Sequence, residues 1–293
     1  MASLRRLYRE MIAYFGVDDL EIPLTAVKIF TMGDEIPPVV EENHLTEITL
    51  TSCQALRQAA LGDAVLLAID NIGCVAAAIT FGLVDAYSVV PLKGPRVYTS
   101  IMQSQSALRE SFTPPTPRDF TDGTVYACKS SRKPEFCLFG TGDTGRFKDA
   151  ATARAAISDM LAIQPPTTRG VFFYPPDFQD LPFAPDVITM SVRPVELTRL
   201  IQGYQFNTGK RVTASVGGLR AVNSDLIVRP YLTQEINFTP YCLGARVIAE
   251  NPPDRMGIGM PFNTFRVLVK GLKDSYGGFP FHLYPGSGAI VRS

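Results

Sequence analysis

Apolar residues recur every three or four positions at the beginning of the chain, at Leu4, Leu7, Tyr8, Met11, Ile12 and Phe15. Residues with this spacing lie on one face of an α-helix, so the pattern predicts an amphipathic first helix. Residues 23–30 are rich in β-branched side chains and partly alternate between apolar and polar types. This second pattern predicts a strand soon after the first helix.

Hydroxyl-bearing residues and a glycine bracket the next helical pattern. Thr51 and Ser52 can cap a helix whose apolar positions follow in residues 55–61, and Gly62 is suited to end it. Residues 64–84 are then almost long enough and apolar enough to cross a membrane. However, turn-forming residues at 70–73 interrupt this stretch, which favours two buried elements, the second of them an apolar helix over residues 74–83.

Helical and strand-like patterns alternate through the rest of the chain. The predicted strands cover residues 125–129, 135–139, 170–176, 185–192, 210–218 and 237–250, and the predicted helices cover residues 147–163, 194–204 and 263–273. Asp149 is suited to cap the first of these helices. Interleaved strands and helices predict an α/β or α+β fold, with a mixed β-sheet flanked by helices and two subdomains in one compact unit.

A proline-rich stretch at residues 113–123 is the strongest internal boundary. It divides the chain into an N-terminal helical and strand half at 1–112, which carries Cys53 and Cys74, and a C-terminal α/β half at 124–293, which carries Cys242. Such a stretch is typical of a connection between subdomains.

The overall charge balance narrows the choice of partners. Lys plus Arg equals Asp plus Glu at 28 each, so the 293 residues carry no net charge. A neutral chain without runs of like charge has no general electrostatic reason to bind nucleic acid or an anionic membrane, and we expect neither as a partner. The basic start of the chain lacks the apolar core and cleavage site of a signal peptide.

The five cysteines are the best candidates for chemistry. They lie far apart and are odd in number, which favours free thiols in a reducing compartment, and we therefore expect a cytoplasmic protein. Cys53 and Cys74 both fall at or near predicted helix starts. The partial positive charge and free N–H groups of a helix N-terminus lower a thiol pKa and favour a thiolate or an anionic cluster.

Two further cysteines lie in the predicted strands at 125–129 and 135–139. If the turn between these strands is symmetric, Cys128 and Cys137 face each other across a hairpin, with Cα atoms about 4.5–5.5 Å apart. The pair could supply two metal ligands or a reversible disulfide. Two half-buried apolar positions would produce the same pattern, because cysteine is among the most often buried residues.

A G-x-G-x-x-G match at residues 140–145 follows a strand-like stretch and suggests a dinucleotide-binding turn. The next helix is predicted to start only at Asp149, too far beyond the last glycine to place its N–H groups on a pyrophosphate, so we expect no nucleotide. His44 and His282 lie in loop-like surroundings that mark neither as catalytic. The local ligand spacing of a zinc finger is absent from the sequence.

Several segments in order resemble the prokaryotic family known as domain of unknown function 169. They are PLTAVKIF (23–30), CQALRQAALGDAVLL (53–67), CVAAAITFGL (74–83), GRFKDAATARAAI (145–157), APDVITMSVRPVELTRLIQGY (184–204) and TPYCLGARV (239–247). The resemblance implies one large α/β unit from a prokaryote and brings no established activity. It aligns Cys53, Cys74 and Cys242 with cysteine-bearing motifs of the family. Relatives can carry a further cysteine near residues 217–224, where this chain has Val222, Asn223 and Ser224.

Three thiolates at these matching positions could hold an iron–sulfur cluster, such as a 4Fe-4S cluster, as cofactor-binding and metal-ligating residues. One iron would remain open, or its ligand would come from Cys128, Cys137 or a group other than cysteine. Alternatively, the three cysteines are small core residues. The sequence leaves open an iron–sulfur redox or accessory protein with a redox partner, a cluster-free protein that binds a small molecule between the two halves, and a thiol-dependent enzyme.

Overall fold

The computed structural model describes residues 3–15, 22–45, 47–85, 117–127, 145–179 and 181–276. Within these ranges six strands form one sheet, namely β1 (Leu24–Thr31), β2 (Val65–Leu67), β3 (Thr168–Tyr174), β4 (Val187–Val192), β5 (Asn237–Thr239) and β6 (Met256–Pro261). The strand order is β2-β3-β1-β4-β6-β5, and all neighbouring strands are antiparallel. An isolated parallel bridge joins Leu50 to Ile72. The sheet and its helices are of the α+β class, one of the two that the sequence predicts. The predicted mixed sheet is wrong for the described strands, because every strand pair is antiparallel.

The helices of the described ranges surround this sheet. They are α1 (Leu4–Ala13), α2 (Pro38–Glu41), α3 (Ser52–Leu61), α4 (Val75–Thr80), α5 (Pro117–Thr121), α6 (Thr124–Ala127), α7 (Ala150–Ser158), α8 (Pro194–Thr208), α9 (Arg229–Thr233), α10 (Leu243–Val247) and α11 (Phe262–Asp274). A π-helix spans Ala221–Val228. No helix within the described ranges has the combination of length and apolarity needed to cross a membrane.

Local signals place the first helices where the sequence predicts them. Leu7 and Met11 of α1 are buried, as the helical spacing requires. At α3, Thr51 Oγ1 accepts a hydrogen bond from Gln54 N–H at 3.2 Å, while Gln54 Oε1 accepts one from Thr51 N–H at 2.9 Å. This reciprocal capping box satisfies N–H groups that the helix itself leaves unpaired. Gly62 ends α3 in the left-handed conformation, with φ 116°.

The sheet has two faces that differ in what covers them. Val27 and Ile29 of β1 point to a core shared with α3, α4 and the π-helix, and we call this side the cysteine face. Ala26 and Phe30 of the same strand point to the opposite side of the sheet. They belong to a second core shared with α1, α8 and α11, and we call this side the long-helix face. This division arises because successive side chains of a strand point to opposite faces of the sheet.

Glycines allow close backbone contacts on both faces. On the long-helix face, a Cβ atom at Gly271 of α11 would lie 1.8 Å from the carbonyl oxygen of Gly203 in α8. On the cysteine face, a Cβ atom at Gly259 of β6 would lie 2.0 Å from the carbonyl oxygen of Leu226 in the π-helix. Neither approach leaves room for a side chain, so glycine is required where these elements cross.

Strand β1 lies at the centre of the sheet and joins parts of the chain from either side of residues 113–123. It pairs with β3 on one edge and with β4 on the other, both of which follow that stretch. Part of the stretch, Pro117–Thr121, is the helix α5. The division into halves at 1–112 and 124–293 stays a prediction.

Three predicted strands differ from the structure. Residues 210–218 form no strand, because the side chain of Asn237 hydrogen-bonds both the N–H and the C=O of Ser215, at 2.9 and 3.0 Å, where a neighbouring strand would otherwise bind. The predicted strand at 237–250 is limited to β5 and is followed by α10, because Pro240 has no N–H and Tyr241 takes a φ of 70°.

The predicted strand at 125–129 is also wrong over its described part, where α6 covers Thr124–Ala127. Val125 and Tyr126 are adjacent and both are buried, so this segment lacks the alternation of a half-buried strand. The helix predicted over 147–163 is shorter than expected and spans Ala150–Ser158. Asp149 caps it as predicted, accepting a hydrogen bond from Thr152 N–H at 2.7 Å.

Candidate cysteine site

Cys53, Cys74 and Cys242 line one cavity on the cysteine face of the sheet. The cavity has a volume of about 50 Å³, and we call it the cysteine cavity. At about 10–15 Å³ for each water-sized atom, it has room for several such atoms. Residues 51–76 form one wall and residues 219–248 form another, so the fold brings together three cysteines that are distant in sequence.

Each of these cysteines lies at the beginning of a helix. Cys53 is in the first turn of α3, directly after the capping residue Thr51 and Ser52. Cys74 is the N-cap of α4, and its Sγ accepts a hydrogen bond from Ala77 N–H at 3.3 Å. Cys242 is the N-cap of α10. The predicted positions of Cys53 and Cys74 are confirmed, whereas Cys242 was expected in a strand.

The protonation of Cys53 differs from the sequence expectation. Burial raises the pKa of its thiol well above the ordinary value, and the nearby Cys242 and Cys74 raise it further, since neighbouring thiolates repel. Hydrogen bonds from Ser52 and from the backbone N–H of Cys53 lower the pKa by less. Burial therefore outweighs the helix N-terminus, so Cys53 is a neutral thiol when no cation is present.

Two arginines give the cysteine cavity a cationic wall. Arg146 and Arg220 both line it. The side chain of Arg220 is buried, with 8% of the residue exposed, and one guanidinium nitrogen donates to the carbonyl oxygen of Phe120 at 3.0 Å. Its Nε is buried and has no hydrogen-bond acceptor among the described residues. A buried donor without an acceptor is costly, so this N–H suits an acceptor inside the cavity.

Tyr126 and Asn223 complete the polar part of the lining. Burial raises the pKa of the Tyr126 hydroxyl, while the nearby guanidinium of Arg220 opposes this rise. Asn223 lies in the π-helix, within the segment where the family resemblance expects a further cysteine. This segment therefore lines the same cavity, where Asn223 of this chain provides an amide and not a thiol.

The three cysteines do not converge on a single point. No group of three or more His, Cys, Asp or Glu residues in the described ranges is arranged to hold one metal ion. Sulfur ligands of a single tetrahedral zinc ion lie about 3.8 Å apart, because each Zn–S bond is about 2.3 Å long. The three cysteines instead line the small cysteine cavity.

Other predicted candidates lie elsewhere or outside the described residues. Cys128 and Cys137, including the hairpin expected between them, fall outside the described ranges, as does His282. The His44 ring nitrogen Nε2 lies 3.0 Å from a carboxylate oxygen of Asp70, and His44 does not line the cysteine cavity. The glycine-rich motif at 140–145 is described only at Gly145, and the next helix starts late, at Ala150.

The sequence did not single out the arginines, Tyr126 or the π-helix. One signal was available: Asn223, Ser224 and Asp225 form a polar group inside an otherwise apolar run over residues 221–228. Polar residues inside an apolar stretch must find partners when the stretch is buried, and so they mark candidate sites. The two arginines carry no such local signal, because only the fold brings them to the cavity.

The fold and the site define an α+β protein with a cavity lined by three cysteines and two arginines. The model of the family DUF169, a domain of unknown function described as uncharacterised ArCR, matches residues 19–271. The chain belongs to this family, which confirms the resemblance stated from its segments. No curated protein and no solved structure matches the chain.

Proposed function

We propose that the protein binds an iron–sulfur cluster in the cysteine cavity and serves as a redox or accessory protein. One observation carries this proposal. Although Cys53, Cys74 and Cys242 are far apart in the sequence, they line the same small cavity. Cluster ligands need not approach one another as closely as the ligands of one ion, because each thiolate binds a different iron atom.

The polar groups of the cavity fit an anionic cluster. The buried Nε of Arg220 could donate a hydrogen bond to a cluster sulfur, which would satisfy a donor that has no acceptor among the described residues. Arg146 and the backbone N–H groups at the start of α3 add positive potential. Hydrogen bonds to the sulfurs and nearby positive charge are the means by which proteins adjust cluster potentials.

Proton release must accompany loading of the cavity. Because burial raises the pKa of the Cys53 thiol, that thiol stays protonated until a cation offsets the cost of its charge. When bound, an iron–sulfur cluster would supply one-electron transfer, or a Lewis-acidic iron at any position that the three cysteines leave open. The residues of the chain bind the cluster, balance its charge and limit its contact with water.

Anaerobic reconstitution tests the proposal. The full chain is incubated with ferrous iron and sulfide, desalted, and analysed for bound iron, bound sulfide and visible absorbance that bleaches on reduction. The single variants Cys53→Ser, Cys74→Ser and Cys242→Ser are expected to lose most of the bound iron. The matched control Ala76→Ser places a hydroxyl in the same cavity without removing a sulfur, and it is expected to keep the cluster.

Two outcomes would contradict the proposal. One is a colourless protein that binds no iron or sulfide after reconstitution. The other is full loading of a chain in which all three cysteines are replaced. Variants Cys128→Ser and Cys137→Ser, made in parallel, would show whether either of those residues supplies a further ligand.

A cluster-free protein that binds a small molecule is the second candidate function. It is favoured by a larger cavity on the other side of the π-helix, which contains no cysteine in its lining. This candidate predicts normal folding of Cys53→Ser and Cys74→Ser and a metal-free ligand retained during purification. For the third candidate, a thiol-dependent enzyme, the high pKa of Cys53 argues against that thiol as the nucleophile.

The proposed setting is the cytoplasm, because five widely spaced cysteines, an odd number, favour free thiols in a reducing compartment. As partner we propose either a redox partner or a small molecule, and neither nucleic acid nor a membrane surface. The balanced charge of the chain supports that choice.

A further inference from the structure

A second cavity lies beside the cysteine cavity, and we call it the π-helix cavity. Its volume is about 560 Å³, within the range of sites that bind small organic molecules. Ser224, Asp225 and Arg229 form one wall, residues 155–161 a second, and residues 215–219 a third. Leu219 lines both cavities, so the two are direct neighbours.

Hydrogen bonds fix the three walls relative to one another. Asn237 Nδ2 donates to the carbonyl oxygens of Ser215 and Asp225, each at 3.0 Å, and so joins the wall at residues 215–219 to the π-helix. Ser224 Oγ donates to the carbonyl oxygen of Leu161 at 3.2 Å, which joins the π-helix to the segment after α7. The cavity is therefore formed before any ligand binds, which lowers the entropic cost of binding.

Charged groups of both signs line this cavity, namely the carboxylates of Asp159 and Asp225 and the guanidinium of Arg229. Asp159 is exposed to solvent at the end of α7, whereas Asp225 and Arg229 are more buried and interact more strongly with a ligand. Asp225 is buried, with 6% of the residue exposed, and its carboxylate accepts a hydrogen bond from Gly217 N–H at 3.3 Å. Burial raises the pKa of Asp225 to about 7, although the attraction of Arg229 lowers it. Arg229 is half-buried and lies four residues further along, at the junction of the π-helix and α9.

A ligand with one charge would satisfy only one of these groups. A simple anion near Arg229 would be repelled by ionised Asp225, and a simple cation near Asp225 would be repelled by Arg229. A molecule with both charges can pair each with its opposite. Met160, Leu161 and Leu219 add an apolar surface for the remainder of such a molecule.

We propose that the π-helix cavity binds a small zwitterion of the α-amino-acid type. Its ammonium group pairs with Asp225, its carboxylate pairs with Arg229, and its side chain packs against the apolar wall. Gly218 faces open space, with no atom within 4 Å of a Cβ built on it, so ligand atoms can approach the backbone there. This site does not require the cluster, and the proposal stands or falls independently of it.

Calorimetric titration of the full chain with each of the common L-α-amino acids tests the proposal. We expect at least one with an apolar side chain to bind with a Kd below about 1 mM, a weak affinity for a small ligand. For leucine, the matched probes are isocaproate, which lacks the ammonium group, and isoamylamine, which lacks the carboxylate. Each is expected to bind at least about tenfold more weakly than the zwitterion, because one charged hydrogen-bonded pair is lost.

Variants assign the binding to this cavity. Asp225→Asn and Arg229→Met are each expected to weaken binding by about tenfold or more, whereas Arg211→Met, an exposed arginine outside the lining, should leave it unchanged. Gly218→Leu adds a side chain where the structure is open, and should block binding without disturbing the fold.

Three results would overturn the proposal. They are the absence of binding by every amino acid tested, equal affinity for the singly charged analogues, and unchanged affinity in folded Gly218→Leu. Retention of amino-acid binding in a chain without its three cavity cysteines would leave this proposal intact even if the cluster proposal failed.

Discussion

The two faces of the sheet differ in the length and packing of the helices that cover them. On the long-helix face, α1, α8 and α11 have 10, 15 and 13 residues, and α8 and α11 approach until their glycine backbones touch. On the cysteine face, α3 has 10 residues like α1, but α4 and α10 have only 6 and 5, and the π-helix has 8. Both cavities described above lie on the cysteine face.

This difference indicates a division of roles between the faces. Long helices with apolar stripes bury large continuous surfaces, which supply most of the stability of such a layer. Short helices contribute less burial, but each provides a further helix start, where side chains and backbone N–H groups can meet in a cavity. We expect a methyl group added between the long helices to cost far more stability than one added beside a cavity on the cysteine face.

The largest expected effect is that of Gly271→Ala on the long-helix face. The new Cβ would lie 1.8 Å from the Gly203 carbonyl oxygen, and since this contact is with backbone, α8 and α11 must separate. We expect a loss of about 4 kcal/mol or more in the free energy of unfolding, measured by urea denaturation. The control, Gly218→Ala on the cysteine face, meets open space and should change stability by less than about 0.5 kcal/mol. Equal losses in the free energy of unfolding for the two variants would contradict the proposed difference between the faces.

The second effect is the pH dependence of the free energy of unfolding that Asp225 causes on the cysteine face. Its pKa is about 7 in the folded protein and near the ordinary 3.8 when unfolded. The stability that protonated Asp225 gives the folded protein is therefore complete below about pH 4. It is lost as the pH rises through about 7, because between these values only the unfolded chain releases the proton. Relative to the unaltered chain, Asp225→Asn should gain on the order of 4 kcal/mol between about pH 4 and pH 8, since one pKa unit is worth about 1.4 kcal/mol. A constant difference across that window would contradict the raised pKa.

A buried ion pair on the long-helix face gives a third test. Glu196 at the start of α8 is fully buried, accepts hydrogen bonds from the N–H and Nε of Arg193 at 2.7 Å, and lies 3.7 Å from Arg255. Glu196→Gln should cost about 2 kcal/mol in the free energy of unfolding, because two partly buried guanidinium groups lose their counter-charge. Glu10→Gln, in the exposed pair with Arg6 on α1, is the control and should cost less than about 0.5 kcal/mol.

The smallest effect compares helix caps on the two faces. Thr51→Ala removes the buried cap of α3 and should cost about 1 kcal/mol, while Ser3→Ala at the exposed cap of α1 should cost only a few tenths. Both are measured by thermal denaturation of otherwise unaltered chains. An equal cost would mean that burial of the cap on the cysteine face adds nothing to its strength.

Local patterns predicted the elements whose signals are contained in a few neighbouring residues. The apolar spacing in α1, the capping box at Thr51 and the terminating Gly62 each determine one boundary, and all three match the structure. The α+β class followed from the alternation of such elements. The segment motifs that resemble the family also singled out the three cysteines that line one cavity.

Long-range partners account for what the sequence did not predict. The alternation in residues 210–218 is typical of a strand, but the side chain of Asn237, distant in sequence, takes the place of a neighbouring strand. The π-helix is buried on every side and therefore has no apolar stripe to reveal its period. The contribution of Arg220 depends on its burial beside Phe120 and the cysteines, which no local spacing indicates.

Gly257 and Gly259 of β6 have a consequence for how the protein can vary. Their missing side chains allow Leu226 of the π-helix to lie directly on the sheet, with contacts of 2.4 and 2.0 Å to any added Cβ. The π-helix is also the partition between the two cavities. The distance between the π-helix and the sheet is thus determined by two residues that line neither cavity. A single methyl group at Gly259, where the contact is with the backbone of Leu226, would push the partition outward and reshape both cavities at once, without touching a molecule bound in them.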